Sequence, residues 1–171
     1  MTNKLNNGGF TVVELIVTLA VAAILFGFAL PAFNELMSQR AMTARVNEFV
    51  LAVNYARSEA AKLGGVVSIQ SMDDGDNGNE WGAGYCVVVG NPGNCDAPVL
   101  QVFDAADDAT LNGSGAFDSV GTLSFNSRGM LIGGVPGEIQ LCSTDAGEDP
   151  GRTVFVNAIG RASTAELVCN G

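Results

Sequence analysis

The sequence predicts an α+β fold: a long N-terminal helix, membrane-spanning in its first half and amphipathic in its second, packed on a C-terminal antiparallel β-sheet domain. Three observations carry this reading. The chain is almost wholly apolar from Leu15 to Phe33. Apolar residues then recur at alternating spacings of four and three as far as Leu63. Beyond Gly64 the composition changes, and short β-branched or aromatic runs alternate with glycine-rich turns. With 171 residues, 47% hydrophobic and 15% charged, the chain suits one domain with a real core, or a small domain with an appended helix, and is too apolar to be disordered.

The first element, residues 1–9, is short and polar, with the α-amine and Lys4 as its positive charges. The Leu15 to Phe33 run, at ~1.5 Å per residue, matches a hydrocarbon thickness of ~30 Å and predicts one membrane crossing. No small-residue A-x-A site follows Phe33, so the apolar segment belongs to the mature chain rather than to a removable signal peptide. Glu14 stands at the edge of this run, where an ionised carboxylate needs a partner. A cut after Gly9 creates an α-amine on Phe10, four residues upstream, and the same amine on a neighbouring subunit can pair with Glu14. The alternative is a carboxylate reaching the headgroups beside the first helical turn, where negative charge also suits the helix dipole. Pro31 lacks an N–H and is expected to kink the helix or melt it locally.

These residues resemble a known family. G-F-T-V-V-E from Gly9 to Glu14, after a short polar leader and before the apolar run, resembles the type IV prepilin signature. The resemblance implies a leader at 1–9, cleavage between Gly9 and Phe10 by prepilin peptidase, N-methylation of Phe10, and use of Glu14 in subunit docking. It also implies that Pro31 lets the assembly helix, 10–33, curve or loosen as subunits pack.

The second helical segment, 34–64, carries its stripe at Met42, Val46, Phe49, Val53, Ala56, Ala60 and Leu63, with Arg40, Arg45, Glu48, Arg57, Glu59 and Lys62 mostly off it. Gly64 and Gly65 supply a stop, and Lys62 suits the negative end of the dipole.

The remaining domain, 65–171, offers seven candidate strands: Val66 to Gln70, Tyr85 to Val89, Val99 to Phe103, Thr122 to Phe125, Glu138 to Cys142, Thr153 to Val156 and Glu166 to Cys169. The four cysteines all lie here, which points to disulfides in an oxidising compartment. Three connectivities are open, and sequence proximity alone selects Cys86–Cys95 and Cys142–Cys169. With no C-x-x-C and no histidine, a zinc site is poorly supported.

Three local patterns narrow the resemblance. E-W-G-A-G-Y-C-V-V-V (Glu80 to Val89), L-S-F-N-S-R-G (Leu123 to Gly129) and V-F-V-N-A-I-G-R (Val154 to Arg161) resemble the tryptophan-glycine, phenylalanine-x-x-x-glycine and terminal glycine-arginine patterns of the GspH/FimT/FimU group, which includes minor pilins and the H-type pseudopilin. Read as architecture, Trp81 is a half-buried anchor, Gly82 and Gly129 are turn residues with positive φ, and Phe125 is core. FimT-like members bind DNA through a terminal G-R-x-R; here Gly160-Arg161-Ala162-Ser163 keeps the first arginine and replaces the second. Net charge is −10, and only Arg128, Arg152 and Arg161 are cationic after Leu63. DNA is therefore not the expected partner, although Arg161 is its candidate contact.

D-D-G-D-N-G-N-E, Asp73 to Glu80, is oxygen-rich, and Asp74, Asp76 and Glu80 are the candidate Ca²⁺ ligands. Its spacing is not that of an EF-hand, so a solvated turn is the stronger reading. Without histidine there is no Ser-His-Asp or Cys-His machinery, and no G-x-x-x-x-G-K loop is present, so no enzyme and no cofactor are expected.

The resemblance thus implies a minor pilin of the type IV pilus system that starts or caps a filament. The alternatives are an H-type minor pseudopilin of type II secretion and a DNA-capturing subunit. Implied partners are other minor and major pilins or pseudopilins, prepilin peptidase, the inner-membrane assembly platform and membrane lipid. The implied location is the bacterial inner membrane, crossed once, with the C-terminal domain in the periplasm or at a pilus tip.

Overall fold

A computed structural model describes residues 10–73, 79–96, 98–118, 120–144 and 150–169, the side chains of 29–32, 34, 35 and 150 excepted. The chain falls into two compact units, residues 1–38 and 39–171. Both contain part of one helix, α1, Val12–Leu63.

Helix α1 starts where its sequence can satisfy its own end. Thr11 Oγ1 accepts a hydrogen bond from the Glu14 amide at 3.2 Å, so T-V-V-E has a capping residue with glutamate three positions on. The helix continues through Pro31. Local melting there, one of the two expected effects, is therefore not found: a proline removes one backbone bond, and long helical stretches on both sides hold the frame. Among the described residues no helix is long and apolar enough to cross a membrane.

At its other end α1 stops as the glycines require. Gly64 has φ 64°, and the Gly65 amide bonds to the Ala60 carbonyl at 3.2 Å, closing the last turn with a left-handed cap. The buried stripe is Met42, Val46, Phe49, Ala52, Val53, Ala56 and Ala60. Ala52 joins the expected set, and Leu63 leaves it at 50% exposed, because the cap turns the chain away at that point.

Among the described residues eight strands follow rather than seven: β1 Val67–Ser71, β2 Tyr85–Val89, β3 Val99–Phe103, β4 Ala109–Gly115, β5 Thr122–Phe125, β6 Gly137–Ser143, β7 Pro150–Val156 and β8 Ala162–Val168. They form two antiparallel sheets, ordered β3-β2-β1-β5 and β4-β6-β7-β8. The unexpected strand is β4, A-T-L-N-G-S-G. Its inward positions are Ala109, Leu111 and Gly113, so the period-2 pattern is present but carried by one large residue. Gly113 must be small, since a Cβ there would overlap the Phe117 carbonyl.

One core cluster takes side chains from α1 (Phe49, Val53, Ala56), from the first sheet (Val67, Ile69, Val87, Leu123) and from the second (Leu111, Ile139, Leu141, Val154). Burial of each such side chain stabilises by ~1.5 to 3 kcal/mol relative to exposure. Trp81 is wholly buried, not half-buried, and meets Phe49 edge-on at 5.6 Å and 89°. On the opposite face of β1 buried polar groups are paired: Ser68 Oγ with Ser124 Oγ at 2.8 Å, and Gln70 Nε2 donating to the Gly121 carbonyl at 3.0 Å. Gly82 does not take positive φ. It is glycine because a Cβ would overlap the Asn79 side chain, whose Oδ1 is held by the Leu111 amide at 2.7 Å.

Candidate functional site

At the start of α1, Phe10 is 78% exposed, and Val12, Val13, Leu15, Ile16 and Val17 are exposed beside it. Glu14 is exposed, and its carboxylate has no hydrogen bond or ion pair among the described residues. Its backbone is fixed by the Thr11 cap while its charge is free. Thr11 is the residue the sequence reading passed over; the T-x-x-E spacing before an apolar run is the signal that finds it. Gly9 lies outside the described residues, and Pro31 is within α1.

The glycines of two sequence patterns meet in space. Asn126 Oδ1 accepts from the amides of Arg128 (2.9 Å) and Met130 (3.2 Å), and the Gly129 amide bonds to the Asn126 carbonyl at 2.7 Å. Asn157 repeats the device: its Oδ1 accepts from the Arg161 amide at 2.9 Å, and the Gly160 amide bonds to its carbonyl at 2.8 Å. Each turn ends in a positive-φ glycine, 71° at Gly129 and 79° at Gly160. A Cβ on Gly160 would overlap the Gly129 carbonyl. The two turns therefore touch.

Arg57 of α1 holds both. Its Nε donates to the Gly129 carbonyl at 2.9 Å and its Nη2 to the Ile159 carbonyl at 3.3 Å. These are charge-assisted bonds from one planar fork to two chain segments. The arrangement leaves Arg128 and Arg161 exposed, with no side-chain partner among the described residues. Arg161, the candidate DNA contact, thus lies beside a turn carrying a second arginine. The helical pattern places Arg57 off the buried stripe but carries no sign of its targets, which are 72 and 102 positions away.

Of the candidate calcium ligands, Asp74 and Asp76 lie outside the described residues. Glu80 is 2% exposed; its Oε2 accepts from the Gly113 amide at 3.1 Å, and its carbonyl accepts from Ser71 Oγ. It fastens the loop to β4. Among the described residues no group of three metal-ligating side chains is assembled.

Both disulfides form as proximity selects, Cys86–Cys95 and Cys142–Cys169. Near Phe49, burial pushes the Tyr85 phenol well above its ordinary range; the Glu48 charge adds to this and Arg45 opposes it. For Arg45 burial acts downward, but Asp108 and Glu48, at 3.1 and 3.3 Å, outweigh it and raise the guanidinium.

The family described as type II transport protein GspH matches residues 45–160, and the prokaryotic N-terminal methylation motif matches residues 4–30. No curated protein sequence matches the chain. Among solved structures, the type IV minor pilin FimU of Pseudomonas aeruginosa (strain PAO1) is similar in two crystal forms. One is 24% identical with TM-score 0.62, covering 74% of this chain and 90% of that one. The other is 25% identical with TM-score 0.59, covering 72% and 91%. The minor pseudopilin EpsH from the type 2 secretion system of Vibrio cholerae is 11% identical with TM-score 0.47, covering 74% and 96%.

Proposed function

The chain belongs to the GspH family, and from that premise we propose that it is a minor pilin of the type IV pilus system, a structural subunit rather than an enzyme. The observation that carries this is the pairing of a methylation motif over residues 4–30 with a β unit whose fold is that of a type IV minor pilin. In this reading prepilin peptidase cuts after Gly9 and the new Phe10 amine is methylated. The apolar half of α1 stays in the inner membrane until the subunit is extracted, with the β unit in the periplasm. Two disulfides suit that oxidising compartment. Exposed apolar side chains from Phe10 to Phe33 then exchange lipid for neighbouring helices, and Glu14 pairs with the Phe10 amine of the next subunit.

Glu14 is suited to this role because its carboxylate has no partner among the described residues and the Thr11 cap fixes where it starts. Mass spectrometry of protein from the native membrane tests the processing: the expected N-terminal peptide begins at methylated Phe10. An unprocessed N-terminus would overturn the reading.

One observation favours a second machine, the H-type pseudopilin of type II secretion: the matching family carries the description of a type II transport protein. Deleting the gene separates the two. Loss of surface pili with intact exoprotein release supports the pilus; the reverse supports secretion.

A further inference from the structure

We propose that the corner formed by Arg128 and Arg161 is the surface through which the β unit docks onto the acidic face of a neighbouring pilin-like subunit. The proposal rests on the filament-subunit reading above and adds to it a contact outside the N-terminal helix.

The cations of residues 39–171 carry the argument. Arg45 is paired with Glu48 and Asp108, Lys62 with Glu59, and Arg152 with Glu166, while Arg40, on α1 and away from the two turns in sequence, is exposed and unpaired among the described residues. Arg57 spends its fork on the Gly129 and Ile159 carbonyls. Arg128 and Arg161 have no such side-chain use among the described residues, and their turns are in contact. Two uncommitted guanidinium groups therefore share one corner of a chain whose net charge is −10.

The corner is held ready for a partner. Each arginine follows a backbone fixed by an asparagine cap, and Arg57 ties the two turns together, so docking orders little that is not already ordered. Its chemistry is that of a protein contact. Ile132 and Ile159 are 48% and 58% exposed on the same pair of segments, which the Leu131 amide joins to the Ala158 carbonyl at 3.2 Å. Arginine beside exposed aliphatic groups is the composition of a protein interface core, whereas a nucleic acid would meet two cations and then an acidic surface. The complement, a carboxylate surface, is one that a second copy of this chain, with its 18 acidic residues, would present. A basic corner meeting an acidic face elsewhere is a head-to-tail contact, which propagates into a filament wherever its rotation does not close.

The test uses the full chain in its native membrane. Arg161→Lys and Arg128→Lys each place an amine at the corner, and a zero-length carbodiimide joins an amine to a carboxylate only in direct contact. The expected result is a mapped crosslink from position 128 or 161 to an Asp or Glu of a second pilin-like subunit. The Arg128→Glu/Arg161→Glu chain is expected to recover that subunit at least about tenfold less, with its unfolding midpoint unchanged. Wild-type recovery by the charge-reversed chain, with no such crosslink, would overturn the proposal. So would loss of binding to a short DNA duplex in place of loss of the subunit, which would make the corner a polyanion site. If even the unaltered chain is unprocessed at Gly9 and recovers no pilin-like protein, the filament reading falls, and this proposal with it.

Discussion

Gly160 and Gly134 have nearly the same backbone, with φ of 79° and 66°, yet different surroundings. A Cβ on Gly134 meets nothing within 4 Å, whereas one on Gly160 overlaps the Gly129 carbonyl. Gly134→Ala is therefore expected to lose ~1 kcal/mol for left-handed backbone alone, and Gly160→Ala at least ~2 kcal/mol, since the touching turns must separate. Urea unfolding of both variants checks the difference; equal losses would show that the two turns do not press together. Arg57→Met removes two charge-assisted bonds, one part-buried at Gly129 and one exposed at Ile159, and is expected to cost ~1.5 to 3 kcal/mol in the same assay. Arg57→Lys restores little of it, because one ammonium cannot reproduce the fork. At this scale the sequence is readable where partners are local. T-x-x-E at Thr11 to Glu14 is a cap on spacing alone, but nothing in the sequence connects Arg57 to Ile159.

β8 shows what an isolated element cannot do for itself. It is an edge strand paired only with β7, and Ser163, Thr164, Ala165, Glu166 and Val168 are exposed on both of its faces. With little apolar burial of its own, it depends on the β7 ladder and on Cys142–Cys169, which joins the chain just after β8 to β6. That bridge passes over β7 at Gly151, where a Cβ would overlap Cys169 Sγ. The bridges enclose sequence separations of 27 and 9. Chain entropy then makes Cys142–Cys169 worth ~3.5 kcal/mol and Cys86–Cys95 ~2.5 kcal/mol. Replacing Cys142 and Cys169 by alanine is expected to lower the unfolding midpoint more than replacing Cys86 and Cys95, and to speed amide exchange first in β8. Uniform exchange across both sheets would contradict this. The seven strands with β-branched or aromatic runs were legible because each announces itself locally. β4 was not, because its place is set by Glu80 and Phe117 pressing on Gly113 and by pairing to β6, both fixed only when distant segments meet.

For the whole molecule, the division of labour follows from where apolar surface is buried. Every buried core residue, from Met42 to Val156, lies in the unit of residues 39–171, which also holds both disulfides. The exposed apolar side chains between Phe10 and Phe33 contribute nothing to that core and exceed what a free monomer tolerates in water. The helix and the methylation motif were readable because length, hydropathy and G-F-T-V-V-E are one-dimensional signals, and the α+β class followed from the change at Gly64. Sheet order and the meeting of the two turns depend on non-local pairing that no such signal encodes. Two expectations follow from this separation. A chain starting at Gln39 is expected to keep the same urea midpoint as the full chain in detergent and to need no detergent itself, because every buried core residue lies within 39–171. Glu14→Ala is expected to leave that midpoint unchanged as well, since its carboxylate has no partner among the described residues, and still to permit cleavage at Gly9. Its cost appears only when subunits meet. The variant is expected to accumulate processed in the membrane while its share in sheared filaments falls by about tenfold, the loss of a paired charge in a low-dielectric setting. Incorporation at the wild-type level would mean that the apolar helix surface alone drives assembly and that Glu14 serves only the first turn of α1.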